Sequence, residues 1–532
     1  MQAVVTQSGL LCLQIFVLFL QHKYLTIGMT SNSEQKNTLK RVQDLISTKY
    51  FTLARELVED KLVSDPSNFQ LRVALLNVCV ETNSYQEGLA LLDELAIEQP
   101  ENDALFQIYP RMLVGVGRMD DAIERAHELQ ERKAVDDFQA LGMLFDVCET
   151  ASRTEEMAEI IERMRPEGHL QKIGYDSCRA KLYSSEKRFE EAAQLCESAF
   201  AALSDSDGLL SQQMIDDRKI DLAFRAAKAY DRMGEYDMAW AAASRAHEVN
   251  REKSSRFRPS DYEVMAEKTM KLFNRKTLRA LAHAQAPLQW EPLYIVGNPR
   301  SGTSLLEQIL SMHPSVANGG EMSVTASMQQ GFGRLTDSFN EWPLSVLDMT
   351  SDDADALGRW YMSALESFAS DAKVVSNKAL NLQLQVGFLS LVTPNSRAIM
   401  LYRHPLDNCV SCFTTNLLVS GHVYCSNLDS LARVWLARRR LQEHWLEHVD
   451  IPVMELAYEG LVQNQEAETR RLIEFIGLDW NEDCLEFYKS KFVARTISYD
   501  QVNRKMYTTS DGRWKNYEKH LGPLMDSLSA YI

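Results

Sequence analysis

The chain is short of basic residues, of cysteine and of long apolar runs. Its 57 Lys and Arg face 74 Asp and Glu, a net charge of −17. Polyanion binding needs a basic surface, so non-specific nucleic-acid binding is excluded and any anion site has to be local. Nine cysteines are scattered over 532 residues. The odd count and low density fit reduced thiols better than a disulfide framework. Residues 10–20 are nearly all apolar, but a bilayer span needs about 20 residues. The stretch resembles a signal-peptide core, yet no Lys or Arg precedes it and no small-x-small cleavage site follows. We expect no stable membrane span and a cytoplasmic protein; export is the alternative if residues 1–28 act as a signal. A start at Met29, which opens a polar stretch, is a further reading of the same segment.

What is present is an ordinary globular composition, 45% apolar and 25% charged. At about 150 residues per domain the length suggests three or four units. The first half repeats itself. In each unit an aromatic or apolar residue stands three before a small or apolar one: Phe51 before Ala54, Tyr85 before Gly88, Met119 before Ala122. Phe189 before Ala192 and Tyr236 before Ala239 continue it, and Thr154 before Met157 is a degenerate unit. The steps are 34, 34, 35, 35 and 47 residues, the last lengthened by a Ser/Asp/Gly-rich insertion at 204–211. This period resembles the tetratricopeptide repeat, a helix pair that buries its apolar face only by stacking on neighbours. We expect five or six such repeats over residues 35–250, after an N-terminal segment 1–34.

Residues 251–290 hold charge, a proline and a helix-like run, and read as a helical linker. Beyond them short apolar runs at 293–296, 374–376, 398–402 and 453–456 alternate with helical patterns. That alternation predicts an α/β domain over 291–532 with a central parallel sheet. Its strongest motif is LYIVGNPRSGTSLLEQIL, a strand, a turn holding Gly297 and Gly302, and a helix starting near Thr303. Such a turn aims backbone N–H groups and a helix N-terminus at an anion. It is P-loop-like, but Thr303 stands where the P-loop lysine belongs. That absence argues against an ATPase or GTPase. Arg300 offers a forked guanidinium instead.

With HPSVANGGE following it, the turn resembles the 5′-phosphosulfate loop of sulfotransferases, which use 3′-phosphoadenosine 5′-phosphosulfate (PAPS). With the repeats, the likeness is to the tetratricopeptide-repeat sulfotransferases, and more distantly to tyrosylprotein sulfotransferases. The resemblance implies that Arg300, Ser301, Gly302, Thr303 and Ser304 hold the 5′-phosphosulfate, Ser304 replacing the usual second threonine. It implies that Glu321 is the general base and that Lys378 supports the transferring sulfuryl group. Arg403 and Ser411, in LYRHPLDNCVSC, match the pair that grips the 3′-phosphate. Tyr458 matches a tyrosine near the nucleotide. Ser498, Arg513 and Trp514 match the C-terminal segment that closes over it. Residues 495–520 carry six Lys or Arg against three Asp or Glu, a local basic patch suited to a trianionic donor.

The chemistry of these residues agrees. A sulfuryl group in transfer is stabilised by fixed Arg, Lys and N–H donors, so no metal is expected. A phenolic acceptor, with an ordinary pKa near 10, would benefit from a base. The implied partner is a hydroxyl-bearing acceptor; the repeats point to a protein or peptide docked on them, and saccharide and small-molecule acceptors stay open. Two other classes stay open: a repeat-based scaffold with an inactive or nucleotide-sensing second domain, and a kinase-like P-loop enzyme. Three further patterns are set aside. HWLEH (residues 444–448) has a zinc-peptidase spacing but no third ligand; Cys409, Cys412, His422 and Cys425 suit zinc by number alone; Arg438–Arg440 reads as a solvated helix face.

Overall fold

The computed structural model describes residues 33–47, 50–82, 84–132, 136–203, 210–322, 324–369, 372–418, 421–490, 505–506 and 510–532. Most of the N-terminal segment 1–34, most of the 204–211 insertion and Ser498 lie outside them. The chain divides into two compact units, one holding residues up to Asn250 with Thr414–Gly421, the other the remainder.

The first unit is helical. Each of the six residues that mark the sequence period is the first residue of a helix: Phe51–Ser64, Tyr85–Glu98, Met119–Glu131, Thr154–Arg163, Phe189–Ala202 and Tyr236–Val249. The residue three positions on is buried in every case. Packing explains the choice. A Cβ on Gly88 would lie 2.1 Å from Met112 Cε and 3.2 Å from Cys79 Cβ, so the neighbouring helices approach too closely for a side chain there. Between these helices run Phe69–Thr82, Tyr109–Gly115, Asp137–Thr150, Gly168–Ser185 and Gln212–Met233, each packed on its chain neighbours.

The second unit is an α/β domain. Strands β1 (Glu291–Gly297), β2 (Val316–Asn318), β3 (Val374–Asn377), β4 (Arg397–Tyr402) and β5 (Val453–Ala457) form one parallel sheet, ordered β2-β3-β1-β4-β5. Four lie where the apolar runs placed them; β2 is additional. A parallel sheet is covered on both faces and its strands are apolar throughout. Accordingly Tyr294, Val296, Ala398 and Met400 point into one core, with Phe388 and Trp445. Leu293, Ile295, Ile399 and Leu401 point into another, with Leu306, Ile309 and Leu472. The segment read as a linker supplies Ala266, Leu272, Phe273 and Leu278 to the first of these cores.

The order positions the site. After β1 the chain turns toward β2 and β3; after β4 it turns toward β5. The strand order thus reverses between β1 and β4, and the carboxyl ends of strands at such a switch point are the usual ligand position in open parallel sheets.

Candidate active site

The loop after β1 is built on two left-handed residues, Arg300 at φ 66° and Gly302 at φ 102°. Glycine reaches that region freely, whereas an arginine there is strained and is held by its surroundings. Ser301 Oγ donates to the Asn298 carbonyl at 2.8 Å and tightens the turn. Gly297 and Gly302 have no room for side chains: a Cβ would lie 2.5 Å from Ser301 Oγ and from Tyr458 Cδ2, respectively. The loop delivers Thr303 and Ser304, both buried, to the first turn of the helix Thr303–Leu310. Its first amides and dipole suit an anion.

The loop after β4 closes on the same place. Arg403 is buried. Its Nη1 donates to the Arg300 carbonyl at 3.1 Å, and its guanidinium lies 4.7 Å from the centre of the Tyr458 ring. Arg300 Nε donates to Ser411 Oγ at 3.0 Å, from the helix Pro405–Phe413. Asn408 on that helix donates to the Pro299 carbonyl at 2.8 Å. Arg403 Nε is closed to solvent and has no hydrogen-bond partner. A buried guanidinium donor left over in this way is a ready grip for an anionic group. The C-terminal segment joins in: Tyr458 and Ser510 share a hydroxyl hydrogen bond of 2.6 Å, and Trp514 stacks parallel to His404 at 5.7 Å. Arg513 Nη2 donates to the Tyr517 hydroxyl at 3.5 Å, within its own short helix.

The carboxyl ends of β2 and β3 supply a second cluster. Lys378 Nζ lies 3.0 Å from Glu321 Oε1 and 3.7 Å from Glu307 Oε2. Glu307 is fully buried, and its Oε1 accepts the Gly320 N–H at 3.0 Å. Burial opposes the Lys378 charge, but the two carboxylates outweigh it and hold its pKa above the ordinary lysine value. The two clusters are joined through the helix Thr303–Leu310, which begins in the anion loop and carries Glu307 one turn on.

Glu307 is a residue the sequence reading missed. Its signal was a lone charge on the helix TSLLEQIL. The two histidines of HWLEH are engaged by the backbone: His444 Nε2 and His448 Nδ1 each bond a carbonyl at 3.0 Å. Burial raises the thiol pKa values of Cys409 and Cys425 well above the usual value. Burial, with Arg438 beside it, lowers His422 to about 3; Arg438 is itself buried and donates to the Leu380 carbonyl at 2.6 Å, so it does not belong to a solvated helix face. Among the described residues the metal-like grouping is Asp407, Glu459 and Asp511.

Residues 292–482 match the model of the sulfotransferase family. The second unit is a sulfotransferase domain. Among curated relatives, an uncharacterized protein of Aquifex aeolicus (strain VF5) is 27% identical over 307 residues, 57% of this chain and 40% of that one. Protein-tyrosine sulfotransferase A of Caenorhabditis elegans is 24% identical over 215 residues, 40% of this chain and 56% of that one. Protein-tyrosine sulfotransferase 1 of Homo sapiens is 24% identical over 226 residues, covering 42% and 60%. The chain thus spans 40% to 60% of these relatives' own lengths. Among solved structures, the sulfotransferase domain from the curacin biosynthetic pathway is 15% identical with a TM-score of 0.34, covering 46% of this chain and 98% of that one. Apart from Thr414–Gly421, the residues of the sulfotransferase-family match belong to the second unit.

Proposed function

We propose that the chain is a PAPS-dependent sulfotransferase acting on a hydroxyl of a protein or peptide. The observation that carries this reading is the joining of Arg300, Ser411 and Arg403 into one cluster, one helix away from the Glu321–Lys378 pair. In this reading the loop 300–304 holds the phosphosulfate, and Arg403 and Ser411 hold the 3′-phosphate beside Tyr458 and Trp514. The unused donor on Arg403 and the hydroxyls of Ser304 and Ser411 fit an anion at these places. When bound, the nucleotide supplies the sulfuryl group and departs as adenosine 3′,5′-bisphosphate. Lys378 then turns its ammonium toward the anionic group, and Glu321 accepts the proton of the acceptor hydroxyl. The protein-tyrosine sulfotransferase relatives support a tyrosyl acceptor, and the helical first unit supplies the surface on which a peptide would dock. No helix among the described residues is long and apolar enough to cross a membrane.

The test is incubation of the purified chain with sulfur-labelled PAPS and a panel of tyrosyl peptides, saccharides and small alcohols. We expect label on the tyrosyl peptides. Failure to bind adenosine 3′,5′-bisphosphate, or transfer to none of the panel, overturns the reading.

A further inference from the structure

The C-terminal turn 510–514 folds back on the helix Pro405–Phe413, and one buried side chain clasps it. Asp407 is only 1% exposed. Its Oδ2 accepts the Gly512 N–H at 2.7 Å and its Oδ1 accepts the Trp514 N–H at 2.7 Å. Gly512 sits at φ 70°, and a left-handed residue in a turn aims neighbouring amides at a single anion. Both oxygens are thus used by charge-assisted hydrogen bonds to backbone. This accounts for Asp407 within its acidic grouping without a cation. The turn has two further ties to the same region. Arg403 Nη2 donates to the Ser510 carbonyl at 2.6 Å, and Tyr458 holds the Ser510 hydroxyl.

Asp407 and Ser411 are four residues apart on one helix, so they share a face. The same rigid element carries Ser411, the partner of Arg300, and the carboxylate that holds the turn. Trp514, whose N–H Asp407 accepts, in turn stacks on His404, next to Arg403. A change in the hold on the turn therefore reaches the anion cluster through two routes, Ser510 on Arg403 and Trp514 on His404.

We propose that Asp407 is a positioning residue: it clasps the turn 510–514 over the nucleotide site and so sets how long a 3′,5′-bisphosphate nucleotide stays bound. The proposal rests on the sulfotransferase reading of the site. Asp407 touches no reacting atom; it acts through the turn and through Arg403.

The test measures equilibrium binding and dissociation of adenosine 3′,5′-bisphosphate on the full chain, wild type against Asp407→Asn. The amide keeps the shape but loses the charge and presents an NH2 where one backbone N–H needs an acceptor. Dissociation should speed up, and affinity fall, by about tenfold or more, the scale of one lost charge-assisted hydrogen bond. The acceptor KM should stay within twofold, and bisphosphate should no longer slow trypsin cleavage after Arg513 and Lys515. Loss of fold alone would not separate nucleotide release from acceptor KM. If Asp407→Asn does not fold, Gly512→Ala decides: it disfavours the left-handed turn from the other side of the clasp and should quicken release likewise. Unchanged release in a folded variant overturns the proposal alone. A wild-type chain that does not bind the bisphosphate overturns the nucleotide reading and the proposal with it.

Discussion

Arg403 donates to the carbonyl of Arg300 across 103 residues of chain. Because β1 and β4 are adjacent, with Gly297 paired to Leu401, the two loops meet without any insertion. The guanidinium uses its planar fork here, with Nη1 on one loop and Nη2 on the C-terminal turn. A lysine offers a point charge and cannot bridge both. Arg403→Lys should therefore weaken adenosine 3′,5′-bisphosphate binding by about tenfold or more, the cost of one hydrogen bond to a charged group. Calorimetric titration checks it; binding equal to wild type would remove Arg403 from the nucleotide site.

Glu321 separates binding from chemistry. Its contact is with Lys378, not with the arginine cluster. Glu321→Gln should leave bisphosphate affinity within about twofold while lowering kcat by about 10² to 10⁴, the usual loss of a positioned base. Parallel titration and turnover measurements decide it. A variant that turns over normally would assign the proton transfer elsewhere.

The charge of Lys378 depends on two carboxylates, and its pKa stands above the ordinary lysine value because of them. A lysine raised in this way contributes its stability in full below its unfolded pKa and loses it only as pH rises through the folded one. The wild-type rate should thus show no loss of the ammonium between pH 7 and about 10. Glu307→Gln keeps an acceptor for the Gly320 N–H but removes one of the two charges. The alkaline limb of the rate profile should move to lower pH, and an unmoved limb would uncouple Glu307 from Lys378.

Much of this was readable in the sequence where the signal was local. The apolar runs of β1, β3, β4 and β5 stood out because buried parallel strands are apolar on both faces. The repeat marks coincide with helix starts because the large residue and the small one three later are on neighbouring positions of one helix face. Strand β2 escaped because it has three residues and ends in Asn318, too short for any periodicity. Asp407 escaped for another reason. Its partners are backbone amides 105 and 107 residues away, and no side-chain pattern marks a backbone donor. Glu307 was visible only as one charge in an apolar helix, and its meaning depended on Gly320 and Lys378 being folded against it.

The first unit holds a buried ion network that makes its own prediction. Lys181 Nζ lies 2.7 Å from Asp146 Oδ1 and 3.0 Å from Glu149 Oε2, and Arg225 adds a second contact to Glu149 at 3.2 Å. Burial alone would raise both carboxyl groups. It prevails at Asp146, pushed up to about 6. At Glu149 the two cations prevail over burial, and the pKa is held down at about 2. The depressed Glu149 contributes stability that is present above its unfolded pKa and lost as pH falls toward 2; the raised Asp146 costs stability as pH rises through 6. Lys181→Met leaves both carboxylates buried with one cation fewer. It should destabilise the chain by about 3–5 kcal/mol at neutral pH, the typical cost of breaking a buried pair. Without Lys181 both groups bind protons more readily in the folded state, so the deficit should shrink as pH is lowered from 8 to 5. Denaturant unfolding across that range checks the sign, and a deficit that is constant or grows toward acid would show that Lys181 is not what holds the two charges.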